Sequence, residues 1–220
     1  GTGGSALGIG WFGRRLAEAG FIVVGANHHG NTANETYCAE GFLSWWERSR
    51  DLSFLANFMM GDHPFSIRID PDKIYAAGHS LGGHTVIAST GALFSNNQFL
   101  EWYKEQPGPN GPREFPDLAD HLPRLERESQ PFRESLERHA ASYRDPRIKA
   151  VFAMAPAPTV RGFSTKSLSA IEIPVFIQTG AADFGREVMP DITIDPPTVN
   201  RSGIHDHAAA TAIRHFRATF

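Results

Sequence analysis

The residues best suited to chemistry stand together in the stretch GHSLGG at positions 78–83. The pattern G-x-S-x-G, with an apolar run before it and a helix-forming segment after it, predicts that Ser80 stands on a tight turn between a buried strand and a helix. Such a turn needs small neighbours: Gly78 and Gly82 supply the space, and Gly83 lets the helix approach the sheet. The start of the helix directs free N–H groups at developing negative charge. We therefore predict that Ser80 is a nucleophile.

If Ser80 is a nucleophile, we expect an acid and a histidine further along the chain as its catalytic partners. A serine hydroxyl needs a histidine to accept its proton, and the histidine needs a carboxylate that fixes its tautomer. With a serine on such a turn, the expected chain order is Ser, acid, His, and the acid lies just past a later strand. Asp183 closely follows the apolar run 175–179 and is the preferred acid. Asp191, directly after a proline, and Asp195, directly before one, remain rivals.

The histidine base is expected on the loop after the last strand, just before the closing helix. The stretch GIHDH at 203–207 occupies that place. His205 is preferred because it lies further into the loop, after a flexible glycine. His207 falls near the start of the helix and stays open as the alternative base. His215 lies well inside the helix, and we interpret it as structural.

The hydrophobic pattern predicts the framework that positions these residues. Spacings of three and four between apolar residues are typical of helices, and short apolar runs are typical of strands buried on both faces. The predicted helices cover 6–19, 43–60 and 81–94 and a closing segment marked by Ala209, Ile213, Phe216 and Phe220. The predicted strands cover 21–26, 73–78, 148–155 and 175–179. Strands separated by helices indicate an α/β fold, with a mostly parallel sheet and helices on both faces.

Residues 95–146 depart from this alternation. They carry many charges and seven prolines where a direct return to the sheet needs only a few residues. Phe132, Leu136, Ala140 and Tyr143 predict one amphipathic helix within them. We interpret the segment as an insertion packed over one end of the sheet. Whether it is a lid over a site or a surface excursion stays open.

Composition bounds the function classes. The 220 residues, with 41% hydrophobic residues including 16 Phe and 4 Trp, predict one folded domain with an insertion and exclude a disordered chain. A net charge of −3 gives no electrostatic support for a nucleic-acid partner. The single cysteine, Cys38, excludes an internal disulfide and a cysteine-based metal centre. No apolar run approaches the roughly 20 residues of a membrane span. We expect a small-molecule substrate and neither metal nor cofactor.

The sequence resembles the α/β-hydrolase superfamily, beginning with GHSLGG itself. Within that superfamily it is similar to the bacterial predicted dienelactone hydrolases, a group related to the platelet-activating-factor acetylhydrolases. The segments that carry this resemblance are GTGGS at 1–5, NHHGNT at 27–32, RDLSF at 50–54, IDPDKI at 69–74 and DPRIKAV at 145–151.

The resemblance implies a single α/β-hydrolase domain over 1–220 and a serine ester hydrolase that forms an acyl-serine intermediate. In the family, the first loop supplies one backbone donor to the anionic oxygen. Carried over to this chain, that donor is Thr2. The second donor is the N–H of Leu81, the residue after the nucleophile.

Three features depart from the family pattern. The histidine before the first loop and the strand before it are absent, so we expect that an N-terminal part, with any targeting signal, has been lost. The compartment therefore stays open between cytoplasmic and secreted. The nucleophile of true dienelactone hydrolases is cysteine, whereas Ser80 stands here. Only 22 residues (205 − 183) separate Asp183 from His205, which is short for the helix and strand that the family places there.

These observations leave three hypotheses. The first is an ester hydrolase with the triad Ser80, Asp183 and His205. The second is a hydrolase-like protein without catalysis that binds a small hydrophobic ligand; the short interval between acid and base motivates it. The third keeps the serine chemistry but cleaves an amide or a thioester.

Overall fold

A small parallel sheet lies at the centre of the protein. The computed structural model describes residues 1–62, 64–106, 111–179 and 200–219. Its strands are β1 (Ile74–His79), β2 (Ile148–Met154) and β3 (Val175–Gln178), in the order β1-β2-β3. Both pairs are parallel, so helical crossovers must connect the strands. The predicted α/β class is confirmed in this form: a mixed structure with three parallel strands and helices.

Nine α-helices lie within the described residues. They are α1 (Gly10–Glu18), α2 (Ala39–Leu43), α3 (Arg48–Met60), α4 (Leu81–Ala88), α5 (Asn96–Lys104), α6 (Leu118–Glu128), α7 (Gln130–Leu136), α8 (Thr165–Ser169) and α9 (Arg201–Arg217). Short 3-10 helices cover Ala6–Ile9, Trp45–Glu47, Ser66–Arg68 and Pro158–Gly162. None of the described helices is long and apolar enough to cross a membrane.

Strand β2 forms the middle of the core. Alternate residues point to opposite faces, as the pleat of a strand requires. Val151 and Ala153 pack in an apolar cluster with α4, whereas Ala150, Phe152 and Met154 pack in a second cluster with α1 and α9. All five are buried. Helices therefore cover both faces of the sheet, as predicted.

The strand predicted at 21–26 is not formed. Within the described residues, this segment forms no β-sheet hydrogen bonds with the central sheet. The side chains of Ile22, Val23 and Val24 are between 42% and 48% exposed. Only Phe21 packs inward, against Tyr75. An apolar run indicates only that a segment tends to be buried. To form a strand, the segment also needs an adjacent strand that hydrogen-bonds to its backbone N–H and C=O groups.

The helix predicted at 43–60 is interrupted. Helix α2 ends at Leu43, a 3-10 turn follows, and α3 starts only at Arg48. The helix predicted at 81–94 ends early, at Ala88. The Thr90 hydroxyl bonds to the carbonyl of Ile87, and Gly91 takes a φ of +110°. Such side-chain bonds compete with the helix ladder and a positive φ ends it.

In the parts of the insertion that the structure describes, 95–106 and 111–146, there are three α-helices, α5, α6 and α7, where one was predicted. Phe132 lies in α7, but Tyr143 lies beyond its end. The Ser129 hydroxyl accepts a bond from the N–H of Phe132, which caps the start of α7. Helices α6 and α7 bury Leu125 and Phe132 against α2. The insertion is therefore a packed layer with its own small apolar core.

Candidate active site

Ser80 lies on a strained turn between β1 and α4. Its backbone angles are φ 53° and ψ −118°, a region that side chains other than glycine rarely adopt. The Ser80 N–H donates to the Met154 carbonyl at 2.9 Å, and the Ser80 carbonyl accepts from the N–H groups of Gly83, His84 and Ala157. These bonds tie the turn to the end of β2, the first turn of α4 and the loop after β2. These hydrogen bonds thus keep the backbone of Ser80 in a conformation that is unfavourable for serine.

The three glycines around Ser80 differ in how much space their surroundings leave for a side chain. A Cβ on Gly78 would overlap the carbonyl group of Gly82, so this position tolerates only glycine. A Cβ on Gly83 would lie 2.9 Å from Pro156 Cα. A Cβ on Gly82 would meet nothing within 4 Å. Two expectations are therefore corrected. Gly82 is not needed for space, since a side chain there would fit, and it is its carbonyl group that contacts Gly78. Gly83 allows the loop after β2, rather than the sheet, to come close to α4.

The first loop lies against the nucleophile. A Cβ placed on Gly1 would stand 3.5 Å from Ser80 Cβ. The N–H of Gly3 donates to Asn31 Oδ1 at 2.6 Å, and Tyr37 donates its hydroxyl proton to the Gly3 carbonyl at 2.8 Å. Asn31 is buried. Two of the segments that carry the sequence resemblance, 1–5 and 27–32, are therefore in contact at Ser80.

Both predicted oxyanion donors belong to this neighbourhood. Leu81 is the first residue of α4, and the first N–H groups of a helix have no acceptor within it. Thr2 is half-buried and stands between Gly1, which lies against Ser80, and Gly3, whose N–H is engaged by Asn31.

The two candidate bases lie in a helix and not in a loop. Helix α9 begins at Arg201, where the Asn200 side chain caps the N–H of Gly203. The ring of His205 stacks on Trp11, with 3.8 Å between centroids and 4° between planes. His207 is exposed. The expectation of a loop at 203–207 is wrong because an Asn cap starts the helix earlier than the apolar pattern indicates.

The start of α9 packs on the start of α1. Asp206 forms an ion pair with Arg15, and at the far end Arg217 donates to the carbonyl of Ala19. The two helices therefore run parallel, and His205 lies beside the end of α1 that follows the first loop. The three candidate acids, Asp183, Asp191 and Asp195, lie outside the described residues.

Sequence reasoning missed a histidine–carboxylate pair that joins His28, in the loop 27–32, to Asp51 in α3. His28 Nδ1 and Asp51 Oδ2 are 2.6 Å apart. The His28 side chain is only 12% exposed, and its burial lowers its pKa. The signal was present in the sequence, because His28 and Asp51 belong to two of the segments that carry the resemblance. Their pairing requires the fold.

Two further buried groups lie behind the nucleophile. His84 follows Ser80 by one helical turn, its ring stacks on Phe163 at 4.5 Å, and burial lowers its pKa to about 3. Arg48, the first residue of α3, is 5% exposed, and burial lowers its pKa to about 10. No sequence pattern distinguishes this arginine from the charged residues around it.

An apolar groove of about 440 Å³ borders the turn. Pro156 connects the two features, because it lines the groove and also lies against Gly83. The described residues that line it are all apolar: Ile87, Pro156, Val160, Phe163, Leu168, Ile171, Ile173, Val175 and Ile177. Such a surface suits a hydrocarbon group rather than a charged one.

Comparison with protein-family models, with curated proteins and with solved structures found no match to this chain. Among the described residues, no three His, Cys, Asp or Glu side chains are grouped as metal ligands would be. The assignment of function therefore depends on the geometry around Ser80.

Proposed function

We propose that the protein is a serine hydrolase that cleaves carboxylic esters through an acyl-Ser80 intermediate. The observation that carries this proposal is the strained backbone of Ser80 between β1 and the start of α4, with the first loop against it. Strain of this kind persists where the surrounding structure enforces it and is concentrated at functional sites. A strand, a tight turn carrying a serine and a helix together form the context in which G-x-S-x-G denotes a nucleophile.

In the proposed reaction, a histidine base takes the proton of Ser80 Oγ as the oxygen attacks the ester carbonyl carbon. The N–H groups of Leu81 and Thr2 stabilise the anionic oxygen of the tetrahedral intermediate. The histidine then returns the proton to the departing alcohol, which leaves the acyl group on Ser80. A water molecule, deprotonated by the same histidine, releases the acid and restores Ser80. The proposed base is His205, with His207 as the alternative and Asp183 as its carboxylate.

The same proposal extends to the fold. We assign the chain to an α/β-hydrolase domain over 1–220, with 95–146 as a cap. The parallel order of β1 and β2 around the turn and the helices on both faces support this assignment. The cap reaches the proposed site, since a Cβ on Gly3 would lie 2.9 Å from Glu114 Cγ. This position favours a role in substrate choice over a surface excursion.

Chromogenic esters test the proposal. We expect the wild-type protein to hydrolyse 4-nitrophenyl acetate and butyrate, and Ser80→Ala to lose this activity with its fold intact. Ser169→Ala is the matched control, because it removes the hydroxyl of an exposed serine. Parallel assays with an anilide and a thioester of butyrate separate ester cleavage from the third hypothesis. Equal turnover by the wild-type protein and Ser80→Ala would contradict the assignment.

The apolar groove favours a second candidate function, the binding of a small hydrophobic ligand without catalysis. Its volume and its lining of Ile, Val, Leu, Phe and Pro side chains support this reading. A fluorescent fatty-acid analogue tests it. Binding by a wild-type protein that hydrolyses none of the esters would favour the second function. Binding that competes with ester hydrolysis would make the groove part of the proposed enzyme.

A further inference from the structure

Arg48 carries a buried charge that forms no ion pair with any described residue. Its side chain is 5% exposed, and its Nε and Nη1 atoms have no hydrogen-bond partner among the described residues. A buried arginine is normally paired, because the removal of a charge from water is costly. An unpaired one therefore indicates a role that offsets the cost.

The nearby carboxylates are occupied by other partners. Glu47 accepts hydrogen bonds from Arg50, Arg138 and Ser135 at 2.6 to 2.8 Å. Asp51 bonds to His28 and is 49% exposed to solvent. Asp51 still acts on Arg48 electrostatically, but it forms no ion pair with it. The guanidinium of Arg48 is thus not ion-paired, and Asp51 acts on it only at a distance.

The fold places this charge behind the nucleophile. The next residue, Ser49, donates its hydroxyl proton to the Thr85 carbonyl at 3.1 Å, which fixes the start of α3 against α4. Thr85 in turn bonds to the carbonyl of Leu81, the residue after Ser80. The charge of Arg48 also lowers the pKa of His84, one turn from Ser80, and of His28.

Arg48 is the cation of this group at neutral pH. Its own pKa falls only to about 10, so it stays protonated. Burial lowers the pKa values of His28 and His84, so both rings are neutral. Arg48 is therefore the one buried charge among Arg48, His28 and His84, while the carboxylate of Asp51 is half exposed to solvent.

We propose that the buried, unpaired charge of Arg48 stabilises the negative charge that develops on the ester carbonyl oxygen beside Ser80. This inference depends on the proposed ester hydrolysis. Arg48 acts through its field and does not touch the substrate. The substrate is neutral at its carbonyl oxygen and the tetrahedral intermediate is anionic, so the field favours the transition state over the bound ester. The free energy that burial of the charge requires is provided when the protein folds, so it does not add to the barrier of the reaction.

The field has a measurable size. In general, a unit charge roughly 10 Å from an oxygen that becomes anionic changes the rate roughly 15-fold at an effective dielectric constant of about 20. We expect Arg48→Met, which retains an unbranched apolar chain, to lower kcat for 4-nitrophenyl butyrate by such a factor with little change in KM. Arg48→Lys keeps the charge and is expected to retain most of kcat. Arg14→Met is the matched control, since it removes an exposed arginine from α1, away from Glu47 and α3.

Thermal unfolding gives an independent readout. Because Arg48→Met removes a buried charge without a partner, we expect its Tm to rise above the wild-type value. A structural role for the guanidinium would instead lower the Tm and impair Arg48→Lys as well, which would overturn the inference. An unchanged kcat in Arg48→Met would also overturn it while leaving the hydrolase assignment intact. An inactive wild-type protein would instead refute the proposed function, and the inference with it.

Discussion

The backbone N–H of Ser80 donates to the carbonyl of Met154 at 2.9 Å, across the ends of two parallel strands. This bond fixes the position at which the chain must turn into α4. The positive φ of Ser80 follows from that constraint. The nucleophile is therefore held by the end of β2, and the strain at Ser80 has a definite structural source.

The first prediction concerns this strain. Ser80→Gly should be more stable than Ser80→Ala by about 1 kcal/mol, because glycine adopts a positive φ without a steric penalty. Both variants should lack esterase activity. Urea unfolding followed by circular dichroism measures the difference. If the two unfold at the same urea concentration, the turn is not strained.

The second prediction distinguishes two neighbouring glycines. Gly78→Ala should destabilise the protein by about 3 kcal/mol or more, because its Cβ overlaps the Gly82 carbonyl group and the turn must open. Gly82→Ala is the matched control. Its Cβ meets nothing within 4 Å, and alanine suits a helix better than glycine by up to about 1 kcal/mol. Denaturant titrations that give equal losses for both variants would contradict the geometry of the turn.

The third prediction concerns the base. His205→Ala should lower kcat by several orders of magnitude, as the removal of a triad histidine does, and His207→Ala should retain most activity. Steady-state kinetics with 4-nitrophenyl butyrate compares them. The reverse pattern would assign the base to His207. Normal activity in both variants and in the double variant would exclude the triad, and the buried pair of His28 and Asp51 would be the next pair to replace.

The fourth prediction concerns acid stability. Burial lowers the pKa of His84 from 6.5 to about 3, so the unfolded chain binds a proton between these values and the folded protein does not. Stability is therefore lost as the pH falls below about 6.5. By pH 5 this group alone costs about 2 kcal/mol. His84→Phe, whose ring can still stack on Phe163, should lose less stability between pH 7 and pH 5.

Urea titrations at several pH values measure this slope. His207→Phe is the control, because it replaces an exposed ring. Burial also lowers the pKa of His28, so part of the acid sensitivity should remain in His84→Phe. An unchanged slope in that variant would contradict the burial of a neutral His84.

The sequence predicted the core of the fold and the turn but not their surroundings. The strands at Ile74, Ile148 and Val175 were predictable because each is a short apolar run, although only β2 is almost wholly buried and Phe176 and Ile177 of β3 are exposed. The segment 21–26 has the same composition and forms no strand, since composition does not reveal whether a partner strand is present. Ser80 was found because its pattern constrains the backbone locally.

The charges around Ser80 were not predictable. The pair of His28 and Asp51 spans 23 positions. Arg48 is buried without an ion pair, whereas Arg50 is exposed and paired with Glu47. The pairing of His28 with Asp51 and the burial of Arg48 both result from the packing of α3 against α4 and against the first loop. The bases His205 and His207 were assigned to a loop because the apolar pattern of α9 begins late, whereas its cap begins at Asn200.

Covalent labelling tests the central claim most directly. A fluorophosphonate probe reacts with an activated serine and leaves a stable adduct that mass spectrometry locates. The account predicts one adduct per chain, on the peptide that contains Ser80, with a proportional loss of esterase activity and no labelling of Ser80→Ala. A wild-type protein that hydrolyses esters while its adduct lies elsewhere, or while Ser80 stays unlabelled, would contradict the account.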